Sequence, residues 1–197
     1  LRGIHYNAVV TERIDVHEDL AKFRVVPDTG VPGFEPGQYV ALGLGYWEPR
    51  IVGAQDESLP AKQYWKVVRR AYSISCPLLG DNGALLSTAA APFLEFYVTL
   101  IRRAAEAPAL TPRLFALQAG DRLHVNPRIV GSYTLAGISP ADTVVFIGTG
   151  TGEAPHNAMV AKLLSGGHQG SILVATCVRH WADLGYLQQH RRLEELF

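Results

Sequence analysis

Two short stretches of this chain hold residue types that can do chemistry together. The first is Arg70-Ala71-Tyr72-Ser73-Ile74-Ser75-Cys76-Pro77. Read as a strand, it puts Arg70, Tyr72 and Ile74 on one face and Ala71, Ser73 and Ser75 on the other. A guanidinium can grip a pyrophosphate bidentately, an aromatic face can lie against a planar ring, and a hydroxyl can bond a ring nitrogen. The set suits a planar ligand that carries phosphates, and an ordinary edge strand would also accommodate it. The second stretch is Gly148-Thr149-Gly150-Thr151-Gly152-Glu153-Ala154-Pro155, which follows the β-branched and aromatic run at 143–147. Glycines after a strand permit tight turns and close approach of a ligand. Pro155 suits the first position of a helix, so the helix predicted to about Ser165 directs its N-terminal amides at the glycines, a ready anion site.

The elements that must position these residues can be read from the pattern. Strand-like runs lie at 7–11 and 21–26, a turn feeds a strand at about 37–43, and further strands run through 70–75, 94–101 and 122–125. Thr111 reads as an N-cap and Pro112 as the first residue of a short helix with Arg113, Leu114, Phe115 and Leu117. Its amides make a second anion corner. The long loop at 44–66 carries Tyr46, Trp47, Tyr64 and Trp65. It either covers a ligand or partner site or is pinned to the strands by its aromatics. Many short strands followed by strand–helix alternation imply an all-β domain over 1–138, then a parallel α/β sheet from 139. That sheet has strands at 143–147 and 171–177, and Asp183 is expected to cap a closing helix with Leu187, Leu193, Leu196 and Phe197 on its apolar face. Two strands are fewer than a stable sheet usually needs, so the functional polypeptide is expected to continue past Phe197.

Composition narrows the class. Eighteen Lys and Arg balance eighteen Asp and Glu over 197 residues, with no basic stripe, which argues against a nucleic-acid partner. The apolar runs are far short of the roughly 18–20 residues that span a bilayer. No signal-peptide pattern opens the chain, so a cytoplasmic, membrane-free protein is expected. Cys76 and Cys177 read as two buried small hydrophobes in a reducing compartment. No metal site is expected, because the seven histidines lack ligand spacing. Two distant cysteines also leave out an iron–sulfur segment of the kind an oxygenase reductase carries.

Taken in order, the motifs resemble the ferredoxin–NADP reductase family, in its bacterial flavodoxin/ferredoxin branch. The resemblance runs in register from about residue 37 to 186. It also includes Leu94-Glu95-Phe96-Tyr97-Val98, Leu110-Thr111-Pro112-Arg113-Leu114, Gly120-Asp121 and Arg179-x3-Asp183-Leu184-x-Tyr186. It implies an N-terminal antiparallel Greek-key FAD-binding β-barrel over 1–138, then the first part of a parallel NADP(H)-binding α/β domain over 139–197. The implied activity is hydride transfer between NADPH and FAD N5, with one-electron exchange with ferredoxin or flavodoxin. On this resemblance Tyr72 and Ser73 are the catalytic pair at the flavin ring, with Ala71 between them in the cofactor strand. Arg70 and the segment Ala109, Leu110 and Thr111 share the flavin diphosphate, and Tyr97, Val98 and Thr99 reach the phosphates and ribityl chain. Gly148, Thr149, Gly150, Thr151, Gly152 and Pro155 face the nicotinamide dinucleotide, and Arg179 its phosphates.

Three features depart from the family pattern. Residues 44–66 are an insertion, Pro108-Ala109 stands where relatives carry a glycine, and Glu153 replaces an apolar residue. A carboxylate beside a bound diphosphate repels it, so Glu153 is expected to point away. NADP and NAD both stay open, because the residues that discriminate them belong to a later part of the family's domain. The alternative is a non-catalytic flavin-binding electron-transfer subunit that lacks a complete nicotinamide site.

Overall fold

The computed structural model describes residues 1–197. Six strands, β1 (Ala8–His17), β2 (Leu20–Pro27), β3 (Tyr39–Gly45), β4 (Val67–Ser73), β5 (Leu94–Thr99) and β6 (Arg122–Val125), make one sheet in the order β4-β3-β6-β1-β2-β5. Every neighbouring pair is antiparallel. Apolar residues at alternate positions build its core. Val40, Leu42 and Leu44 of β3 meet Ala8 and Val10 of β1 and Phe23 and Val25 of β2, all fully buried or nearly so. The hairpin between β1 and β2 pairs His17 with Leu20 across a two-residue turn, and irregularities at Val10/Glu12 and Asp15/His17 bend it.

The edges β4 and β5 approach each other but are not joined by a ladder. A single bridge, Ser75 to Glu95, links them. The closed barrel expected from the sequence is therefore an open sheet curled towards closure. Pro77 gives the physical reason, since it has no N–H to donate and the strand cannot continue through it. Leu78 follows with φ 67, a left-handed backbone unusual for a branched residue, and its side chain is wholly buried.

The second sheet has two parallel strands, β7 (Val144–Thr149) and β8 (Ile172–Cys177). Of the five helices, α1 (Arg2–His5), α2 (Ala61–Tyr64) and α3 (Thr111–Leu114) are single turns, while α4 (Ala154–Ser165) and α5 (Leu187–Leu196) are longer. The α4 helix crosses from β7 to β8 and packs on one face of the pair. A second buried cluster joins the two sheets, bringing Leu20, Cys76, Leu78 and Tyr97 against Phe146, Met159, Tyr186 and Leu193. No helix is long and apolar enough to cross a membrane.

Candidate functional site

The β4 strand presents the first group. Arg70 pairs across the ladder with Leu42, whose side chain is in the core. Because β4 is an edge, Arg70 runs out past the core into solvent, and within the chain it donates only to the Arg69 carbonyl, at 2.8 Å. Two residues on, Tyr72 packs against the core. Burial pushes its phenol up to about 12, with the Arg70 charge pulling the other way. Ser73, half-buried, faces Tyr39 across the ladder, and Ala71 is exposed.

The second group is the 108–114 corner. The Ala109, Leu110 and Thr111 N–H groups donate to no carbonyl in the chain. Thr111 does not cap the short helix, as the sequence suggested. The cap position is Leu110, already helical at φ −93 and ψ −51, and no side chain caps it. The Thr111 hydroxyl instead accepts the Ile101 N–H at 3.1 Å, tying the exit of β5 to the corner. Arg113 is 2 % exposed and bound wholly within the protein, to Glu57 and to the Ala109 and Tyr46 carbonyls.

The insertion divides its aromatics between two roles. Trp47 packs beside Tyr6, with ring centroids 6.2 Å apart, and its indole N–H donates to Glu48 at 2.9 Å. It also lies over Gly45, where an added Cβ would sit 2.1 Å from the indole, so that position requires glycine. Tyr64 and Trp65, edge to face at 5.0 Å, stay exposed.

The glycine stretch is set at the C-terminal end of β7. Gly148 and Thr149 close the strand, residues 150–153 form one 3₁₀ turn, and α4 starts at Ala154 with Pro155 second and buried. Gly150 sits at φ 51, which glycine reaches without strain. Thr149 and Gly152 are exposed, Thr151 is half-buried, and Arg179 is exposed just beyond β8. Carboxyl ends of parallel strands are where open α/β sheets take ligands. Glu153 turns inward: it is 2 % exposed, and its Oε2 accepts the Thr176 hydroxyl at 3.3 Å. Burial pushes it up to about 7, moderated by Thr176 and by Lys22.

Other residues singled out in the sequence serve the joint between the sheets. The Tyr97 hydroxyl donates to the Asp183 carbonyl at 2.9 Å and accepts the Gly185 N–H at 3.1 Å, so its polar end is engaged there. Val98 is buried in the core, and Thr99 is exposed. Asp183 does not cap α5; it accepts the His180 N–H at 3.0 Å and meets His17 at 3.0 Å. Tyr186, fully buried, donates to Glu95 at 2.8 Å and lies 3.1 Å from Ser75. Lys22 reaches the Gly185 carbonyl at 2.8 Å over the Tyr186 ring. Of the cysteines, only Cys76 is buried; Cys177 is exposed, because it lies on the face of β8 that α4 does not cover.

The chain's own groups fit a dinucleotide flavin. An extended guanidinium, a half-buried phenol and a run of undonated amides match the needs of a diphosphate and a planar ring.

An antiparallel sheet followed by a parallel strand–helix–strand unit is the arrangement of the ferredoxin–NADP reductases, and comparison with solved structures shows this fold. A ferredoxin NADP+ reductase from Neisseria gonorrhoeae, with bound FAD and NADP, aligns over 96 % of this chain and 64 % of its own, at TM-score 0.70 and 17 % identity. The FAD/NAD-binding domain of nitric oxide dioxygenase from Vibrio cholerae aligns over 98 % and 70 %, at 0.71 and 17 %. In sequence, the chain is 27 % identical over 178 residues to the flavodoxin/ferredoxin–NADP reductase of Escherichia coli, covering 90 % of this chain. The resemblance carried by the motifs therefore holds in both sequence and fold. The chain spans 58 % of the length of that relative. No known family's sequence profile matches it.

Proposed function

We propose that this chain is the flavin-binding and nucleotide-entry part of an FAD-dependent ferredoxin/flavodoxin–NADP+ reductase, with residues 1–138 taking FAD and 139–197 beginning the NADP(H) site. The observation that carries the reading is the β4 edge. Arg70 extends there unpaired by any carboxylate, beside Tyr72, and the amides at 109–111 are left without a carbonyl acceptor. FAD, when bound, supplies a ring N5 that takes hydride from NADPH and releases electrons singly to ferredoxin or flavodoxin.

The residues divide the work of holding and shielding it. Arg70 supplies fixed positive charge for the diphosphate, worth about 1.5–3 kcal/mol in a charge-assisted bond. Tyr72 offers an aromatic wall that excludes water from one ring face. Ser73 places a hydroxyl at the same edge to bond a ring nitrogen, with Ala71 giving close backbone approach. Val98 and Thr99 line the β5 side, and Tyr97 contributes packing rather than its hydroxyl. The turns at 148–152 and Pro155 leave room for the nicotinamide dinucleotide, and Arg179 offers charge to its phosphates.

Acid release and chromatography of the purified chain test this. FAD is expected, and colourless protein or FMN alone overturns it. Reduction of ferricyanide by NADPH then separates two readings. FAD without that reduction turns the assignment to the flavin-binding electron-transfer subunit.

A further inference from the structure

The insertion at 44–66 is fastened by buried charge to the 108–114 corner. Glu57 Oε2 accepts from Arg113 Nη2 at 2.6 Å and lies 3.3 Å from Arg50 Nη1. Arg113 also donates to the Tyr46 carbonyl of the insertion at 2.9 Å and to the Ala109 carbonyl at 2.5 Å. Arg50 donates to the Gln55 carbonyl at 2.8 Å and to the Pro108 carbonyl at 3.1 Å. The Ile51 N–H completes the attachment by donating to the Pro112 carbonyl at 2.9 Å.

Two consecutive carbonyls, Pro108 and Ala109, are thus turned towards two arginines. In a planar trans peptide the N–H of a residue points opposite to the carbonyl before it. Fixing the Pro108 carbonyl therefore aims the Ala109 N–H away from the arginines, and fixing the Ala109 carbonyl does the same for the Leu110 N–H. Neither amide donates to a carbonyl of the chain. Arg50, Arg113 and Glu57 together leave one uncompensated positive charge beneath that pair. Arg50 Nη1, 3.3 Å from Glu57 but without a hydrogen bond, and Arg113 Nε are buried with hydrogen-bonding capacity unused.

We propose that Arg50, Glu57 and Arg113 are positioning residues for the cofactor diphosphate. The insertion acts as a clasp that holds the Pro108 and Ala109 carbonyls inward and so presents the Ala109 and Leu110 amides ready-oriented. This rests on the reading that the chain binds FAD. It also gives the insertion a task at the one corner where Pro108 cannot donate an N–H of its own.

The test titrates the flavin-free 197-residue chain with FAD and with riboflavin, which lacks phosphate, followed by quenching of flavin fluorescence. Glu57→Gln and Arg50→Gln are expected to weaken FAD about tenfold, the loss of roughly one preorganised charge-assisted bond, and riboflavin less than about twofold. Far-UV circular dichroism and thermal unfolding confirm that each variant folds; the Arg50 side chain is 16 % exposed, and if Glu57→Gln unfolds, Arg50→Gln decides alone. Equal weakening of both ligands, or unchanged FAD affinity, overturns the clasp while leaving the FAD reading intact. A parent chain that binds neither flavin removes the FAD reading, and the clasp with it.

Discussion

The molecule has two corners suited to an anion, and they are built in opposite ways. At 108–114 the cations are supplied and fixed before any ligand arrives. Arg50 and Arg113 are held by Glu57 and by backbone carbonyls. At 148–152 the backbone is open, and beside it lie His156, whose Nδ1 would come 3.3 Å from a Cβ at Gly148, and a buried acid, Glu153, whose charge would oppose an anion. The sheets around them differ in the same sense. The first buries a continuous core of 21 residues. The second leaves Val145, Ile147 and Leu173 at 55 %, 77 % and 51 % exposure, although parallel sheets are normally covered on both faces. One corner is organised by local pairing, while the other depends on its protonation state and on what lies against it.

The largest expected effect breaks the comparison at Glu153. Its folded value of about 7 lies above the ordinary 4.5. The folded chain therefore holds this proton more tightly than the unfolded chain, and stability from this group is fully present below about pH 4.5 and falls as pH rises to about 7. Glu153→Gln should remove that slope and raise stability at pH 8 by on the order of 2–3 kcal/mol, read by urea unfolding at pH 5 and 8. If the NADP(H) reading is correct, affinity for NADP+ should fall through the same window in the parent and not in the variant. A parallel pH dependence in both proteins would remove Glu153 from the account.

Next comes Arg70→Ala, which removes the exposed cation assigned above to the diphosphate. FAD should weaken by roughly 10–100-fold, equivalent to about 1.5–3 kcal/mol, with the unfolding of the flavin-free chain little changed. Undiminished affinity would mean that the buried pair Arg50 and Arg113 suffices without it. Tyr186→Phe then probes the joint. It deletes the hydroxyl that serves Glu95 and Ser75, leaving the buried Glu95 carboxylate with Arg24 alone, at 3.0 Å. A loss of about 1–3 kcal/mol in stability, read as a lowered denaturant midpoint with unchanged slope, is expected. No loss would show that Arg24 satisfies the carboxylate by itself.

What the sequence revealed and what it hid follow the range of the interactions. The strands at 21–26, 94–101 and 122–125, the glycine turn and α4 were legible because period-2 alternation and glycine–proline punctuation are local signals. Arg113 was legible only as a helical residue, since Glu57 lies 56 positions away, and nothing in Thr-Pro-Arg-Leu indicates that its guanidinium is enclosed. Thr111 and Asp183 both look like caps locally, and both were claimed by distant partners, Ile101 and His17. Tyr97 reads as a ligand residue by motif, but its hydroxyl meets Asp183 and Gly185 across the joint. Glu153 was expected to avoid a diphosphate, and the inward turn to Thr176 follows from the β7–β8 pairing that sets Thr176 opposite Gly148.

The smallest expected effect sharpens the contrast between the closed and open sheets through the two thiols. Cys76 lies just past the end of β4, 1 % exposed, with its sulfur directed at the Leu86 carbonyl at 3.4 Å, and burial pushes its thiol up to about 12. Only the thiolate reacts at a useful rate, so near pH 8 Cys76 is both sheltered and protonated. Cys177 ends β8 on the uncovered face, alongside Leu173 and Ala175. Alkylation of the native chain at pH 8 should therefore add one group, at Cys177, and the second only after unfolding, as counted by intact mass. Cys177→Ser should abolish the native reaction and change stability by less than about 0.5 kcal/mol, the usual range for a surface substitution. If Cys177 resists alkylation in the native chain, or if its substitution costs much more than that, the outer face of the second sheet is covered in solution and the contrast between the two sheets fails.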